Sequence, residues 1–84
     1  MKLSLYSVHD RLMNVHLAPF VARANVEALR QMKAAFDDPN MAKSPLVTNP
    51  SDYDLVLVGS FDDETGILQS VKPEILMNLA DLKN

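Results

Sequence analysis

The run Tyr53-Asp54-Leu55-Val56-Leu57-Val58-Gly59-Ser60-Phe61 constrains the fold more than any other stretch of the chain. Its β-branched and aromatic residues and its two-residue alternation specify a strand, with Tyr53, Leu55, Leu57 and Phe61 on one face and Val56 and Val58 on the other. It is expected at the centre of a sheet. Asp62-Asp63-Glu64-Thr65-Gly66 follows as a turn in which Gly66 supplies a positive φ, and Ile67-Leu68-Gln69 starts the return strand of a hairpin.

A second hairpin lies at the N-terminus. KLSLYSVH alternates with Leu3 and Leu5 on one face and Lys2, Ser4, Tyr6 and Val8 on the other. Residues 10–14 form its loop, Val15-His16-Leu17-Ala18 its second strand, and Pro19 its end, because proline has no ladder donor. From residue 25 the period changes. Val26, Leu29, Met32, Ala35 and Phe36 recur at three- and four-residue steps, which predicts an amphipathic helix of about twelve residues. Asn25 is its expected N-cap, Glu27 sits favourably in its first turn, and Asp38-Pro39 ends it. The stretch 39–52 has three prolines and reads as an irregular connection. Pro73 is expected to open a short C-terminal helix with Ile75, Leu76 and Leu79 on its apolar side.

The fold class is therefore α+β: an antiparallel four-stranded sheet from two hairpins, with one main helix on a face, in the order ββαββ, and a short C-terminal helix. Tyr6, Val8, Val56 and Val58 are expected on the face away from the helix. They exceed what a solvated face normally shows and call for cover by the C-terminal segment, a second subunit or a ligand.

Eighty-four residues, 48% of them apolar, make one domain over 1–84. A chain this short buries only about 60% of its unfolded surface, and with no cysteine it has no disulfide to help, so it needs either an efficient core or a partner, for which a homo-oligomer, most simply a dimer, is the expectation. No run approaches the roughly 20 apolar residues of a membrane span, and the N-terminus turns polar too soon for a signal peptide. A reducing, intracellular setting without membrane contact follows. The net charge of -3 argues against a broad basic surface, so any nucleic-acid site has to be local.

Catalytic constellations are missing from the sequence. His9, His16 and Asp10 have no recognised metal-ligand spacing, and Asp62-Asp63-Glu64 lacks the order of a calcium loop. No GxSxG elbow or glycine-rich phosphate loop is present, so an enzyme, a cofactor and a metal are all unexpected. What remains is binding. Arg11, Arg23, Arg30 and Lys33, with Lys2 and Lys43, are candidate phosphate contacts, and Tyr6, Phe20 and Tyr53 are candidate stacking platforms for single-stranded bases. The alternative is a non-enzymatic homodimeric adaptor that binds no nucleic acid, marked by an apolar patch containing Val56 or Val58 rather than by converging basic residues.

Asp10-Arg11, APFVARANVEALR at residues 18–30 and PSDYDLVLVGSFDDETG at residues 50–66 resemble the small non-structural protein of gokushovirus-type microviruses, the single-stranded DNA bacteriophages. The resemblance runs from Lys2 to about Gly66 and does not include the tail from Ile67. It implies a protein of the host bacterial cytoplasm that binds single-stranded DNA and assists or regulates genome synthesis or packaging, with phage or host replication proteins as partners. Arg11 and Arg23 stand at family-like positions; Arg30, Lys33 and Tyr6 join them from the reading of the residues.

Overall fold

The central strand meets its expectation and carries the sheet on both sides. The computed structural model describes residues 1–82. Strand β1 (Lys2–Asp10) pairs antiparallel with β4 (Tyr53–Asp62), which pairs antiparallel with β5 (Leu68–Asn78). The free side of β1 is shared by two short strands, β2 (Val15–His16) against His9 and Asp10, and β3 (Phe20–Ala22) against Ser4 to Tyr6. The sheet therefore has five strands instead of four. Pro19 separates β2 from β3, where its missing N–H interrupts the pairing.

The β1–β2 turn works without glycine. The Asp10 carboxylate accepts from the Leu12 and Met13 amides at 3.0 and 3.1 Å, and Asn14 takes the left-handed conformation at φ 54°. In the β4–β5 turn the positive φ, 75°, falls on Gly66 as expected.

Helix α1 (Asn25–Asp37) follows β3 and lays Ala28, Leu29, Met32 and Phe36 against the sheet. Its N-cap differs from the expectation. Ala24 occupies that position, and the Asn25 carboxamide instead accepts the Tyr6 hydroxyl at 2.7 Å, leaving Glu27 to reach back toward the Arg23 amide at 3.4 Å. Residues 39–52 hold a single turn at Pro39–Met41, a short helix α2 (Pro45–Thr48) capped by the Ser44 hydroxyl, and a further turn at Pro50–Asp52.

Two features overturn the simple alternation. Tyr6 and Val8 face the helix, in one core with Leu55 and Leu79, rather than the far side of the sheet. Val58 is an extra residue in β4, so that Leu3 pairs with Phe61 while Tyr6 pairs with Leu57. Leu57, ahead of the bulge, keeps the core face with Leu55, and Phe61 takes the opposite one, because a bulge shifts every later residue by one step. On its other side β4 pairs Leu57 with Glu74 and Gly59 with Ser70, so Val71, Lys72 and Pro73 bulge out of β5 opposite Val58.

The expected C-terminal helix at Pro73 is strand. Ile75 to Met77 continue β5, and only Leu79–Leu82 form a helical turn, which drives Leu79 and Leu82 into the core. The apolar pattern of residues 75–79 suits either element. The open side of β4 decides the outcome, since a strand satisfies backbone groups that a helix at residues 73–79 would leave unpaired.

Candidate nucleic-acid interface

Helix α1 and the residues just ahead of it present three of the candidate cations to solvent. Around a helix at about 100° per residue, Arg30 lies opposite Ala28, Met32 and Phe36, the side chains that hold α1 to the sheet. Arg23 stands just ahead of the helix, its guanidinium Nε 3.7 Å from the Glu27 carboxylate. Lys33 Nζ is 3.3 Å from Asp37 and also donates to the Leu82 carbonyl at 3.1 Å, tying the helix to the last described turn. Arg30 has no carboxylate within ion-pair distance among the described residues. The outer side of α1 thus carries three cations against two acids, Glu27 and Asp37. Both pairs are exposed i,i+4 contacts, each worth about 0.3–0.5 kcal/mol and easily exchanged for another anion.

Arg11 belongs to a different structure. It stands at the end of β1, where its Nη2 donates to the Ser51 carbonyl and its Nε lies 3.6 Å from Asp54 Oδ2. Asp54 is buried in β4, and the Asn78 side-chain amide donates to it at 2.9 Å as well as to the Ser51 and Tyr53 carbonyls at 3.0 and 3.1 Å. Arg11 therefore compensates a buried carboxylate and clamps the entry of β4, separately from the α1 cations. Sequence reasoning missed this network. Its signal was Asp54, a carboxylate inside the most apolar run of the chain, which needs a donor once the strand is central.

Tyr6 is not available to a base. It is fully buried, its ring stacks on Phe20 at 5.7 Å between centroids, and its hydroxyl is held by Asn25. Phe20 and Tyr53 are only partly exposed and both pack on the core. The reading of Tyr6 as a stacking platform is corrected: pairing with Leu57 turns its side chain toward the helix.

His9 and His16 are directly opposed in the register of β1 and β2, and their rings stack at 4.5 Å, with His9 Nε2 3.1 Å from Asn14 Oδ1. No group of three metal-ligating side chains converges among the described residues. The acidic turn closes on the N-terminus, where the Met1 amine lies 2.7 Å from Asp63 and 3.4 Å from Glu64. No helix among the described residues is long and apolar enough to cross a membrane.

These elements define a small α+β protein with one helix backing a five-stranded antiparallel sheet and an exposed, mixed-charge outer helix side. The chain belongs to the phage ORF5 protein family, whose pattern matches residues 3–82. The match includes β5 and the final turn, beyond the limit near Gly66 that the sequence resemblance suggested. No curated protein and no solved structure matches the chain.

Proposed function

We propose that this phage protein binds single-stranded DNA without catalysis and assists or regulates genome synthesis or packaging in the host bacterial cytoplasm, as its resemblance to the gokushovirus-type non-structural proteins implies. The observation that carries the reading is the outer side of α1, where Arg23, Arg30 and Lys33 are all exposed and Arg30 lacks an ion-pair partner among the described residues. A phosphate approaching this side displaces only exposed helix pairs and releases condensed counterions in exchange. Arg11 serves the fold first and enters the contact set only through the part of its guanidinium that solvent reaches. A dimer presents two such helix sides to one strand, which offsets the modest charge of each.

The test is titration of labelled single-stranded and duplex DNA at two salt concentrations, with Arg30→Ala and Arg23→Ala. About four phosphate contacts from a dimer give a log–log salt slope near -3, a loss of roughly sevenfold in affinity for each doubling of salt. Arg30→Ala should flatten that slope as well as weaken binding. Absence of binding at low salt, or the same slope in both variants, overturns the proposal.

The second reading, an interaction module that binds no nucleic acid, draws on exposed apolar side chains across the sheet face away from α1, Leu68 and Ile75 among them, although Val56, expected to mark such a patch, is buried and Val58 only partly exposed. It predicts no DNA binding at any salt concentration.

A further inference from the structure

We propose that the sheet face opposite α1 is the contact surface for a second copy of this chain, packed face to face across a two-fold axis. The inference deepens the dimeric part of the proposed function, and it is tested by mass rather than by DNA binding. The register places three cross-strand rows on this face. Leu3, Phe61 and Leu68 form one; Val21, Leu5, Gly59 and Ser70 form the next; Ser7, Val56 and Ile75 form the third. Leu3, Leu5 and Phe61 are only half-buried, and Val21, Leu68 and Ile75 are 42%, 65% and 65% exposed, whereas Ser7 and Val56 in the third row are already buried within the monomer. An antiparallel sheet that meets water on one side normally alternates polar residues there, and this one does not.

Charge identifies the occupant. None of these three rows contains Lys, Arg, Asp or Glu; charge on this face is confined to its far end, where the next row, His16, His9, Asp54 and Asn78, holds Asp54 against Arg11. A phosphate polymer finds no cation in the three rows, and a strongly charged protein finds no counter-charge there. Two copies that each carry a net charge of -3 repel, and a neutral surface is where their approach costs least. The relief is also self-complementary in kind. On β4 and β5 the small Gly59 and Ser70 form a low stretch of the middle row, beside Leu5 and Val21, so a ridge of one copy can settle into it, as in an isologous contact.

A compact monomer of 9.3 kDa exposes about 5,000 Å², whereas this chain exposes 5516 Å² over a plate-like body of 39 × 24 × 19 Å. The three rows span about six residues, and across four strands about 4.8 Å apart they give a projected area of roughly 400 Å². A standard interface takes about 800 Å² from each partner, so the expected dimer lies below that class, is weak and dissociates on dilution.

Sedimentation of the full chain from about 5 to about 500 µM should show the mass rising from that of one chain toward that of two. Leu68→Lys with Ile75→Lys places charge at two positions already exposed in the monomer, so the fold, read by circular dichroism, should persist while dimerisation weakens at least tenfold. Val26→Lys, on α1 at 61% exposure, is the control and should leave the mass curve unchanged. A monomer at every concentration overturns the proposal. So does a dimer that the double variant leaves intact, or one that Val26→Lys disrupts equally. Monomers that still bind DNA in a salt-dependent way would remove this surface alone; dimers that bind none would remove the DNA reading alone.

Discussion

Asn78 stands directly across the β4–β5 pair from Asp54, and its side-chain amide donates to that buried carboxylate at 2.9 Å while also serving two carbonyls of the β4 entry. Arg11 reaches the same carboxylate from the end of β1, so one network joins three strands. Asn78→Ala removes the amide and leaves acceptors unpaired. It should lower stability by about 2–4 kcal/mol in urea unfolding, and Arg11→Ala by about 1–3 kcal/mol. A double-mutant cycle should give less than the sum, because both residues compensate Asp54.

Gly59 is required by proximity. A Cβ there would collide with the Gln69 carbonyl oxygen of β5, and backbone cannot swing aside as a side-chain tip does. Gly59→Ala should cost about 2–4 kcal/mol by forcing β5 away from β4. Gly66→Ala meets open space and carries only the penalty of its positive φ, about 1 kcal/mol. Thermal unfolding of the two variants should therefore rank them in that order.

Tyr6 separates the core from the DNA reading. Tyr6→Phe deletes the hydroxyl that Asn25 accepts and should cost about 1 kcal/mol of stability. DNA affinity should not change, because the ring never meets solvent. A clear loss of affinity in a folded Tyr6→Phe protein would contradict the assignment of Tyr6 to the interior.

Two titrations act at opposite ends of the pH scale. The Glu64 amide, which donates to Asp62, together with the nearby Met1 amine, holds the Asp62 carboxyl below its ordinary value of 3.8 despite partial burial. A depressed carboxyl contributes stability that is present above its unfolded value and lost as pH falls through the lower folded one. Asp62→Asn should flatten the acid limb of the stability curve. Desolvation, then Asp10 and Asp52, raises the Tyr53 phenol above 10.0. Its contribution is complete below 10.0 and fades as pH rises through the folded value, so Tyr53→Phe should flatten the alkaline limb.

Local signals were legible where they agreed with their surroundings. Leu29, Met32 and Phe36 announced α1, and the alternation from Tyr53 announced β4, because periodicity reports which face is buried; Val26, counted in the same pattern, is instead 61% exposed. Failures arose where a distant residue decided the outcome. Asn25 lost its capping role to the Tyr6 hydroxyl, and the strand fate of Pro73 to Asn78 depended on the unpaired side of β4. The extra residue at Val58 reversed the face of Phe61, which no alternation within β4 could foretell. The exposure of Arg30 and Lys33 followed from the helix pattern, whereas Arg23 lies ahead of the helix. The commitment of Arg11 to Asp54 did not, since it joins residues far apart in sequence.

The bulge of Val71, Lys72 and Pro73 limits what the outer rim of the sheet can build. A long, regular rim invites a strand from a neighbour, which leaves a fresh rim for the next, and such growth ends in fibres. Here the ladder breaks midway, at a proline with no amide hydrogen beside a lysine whose charge repels its own copy. Accumulation to high concentration should consequently leave the protein in small closed particles rather than in polymers.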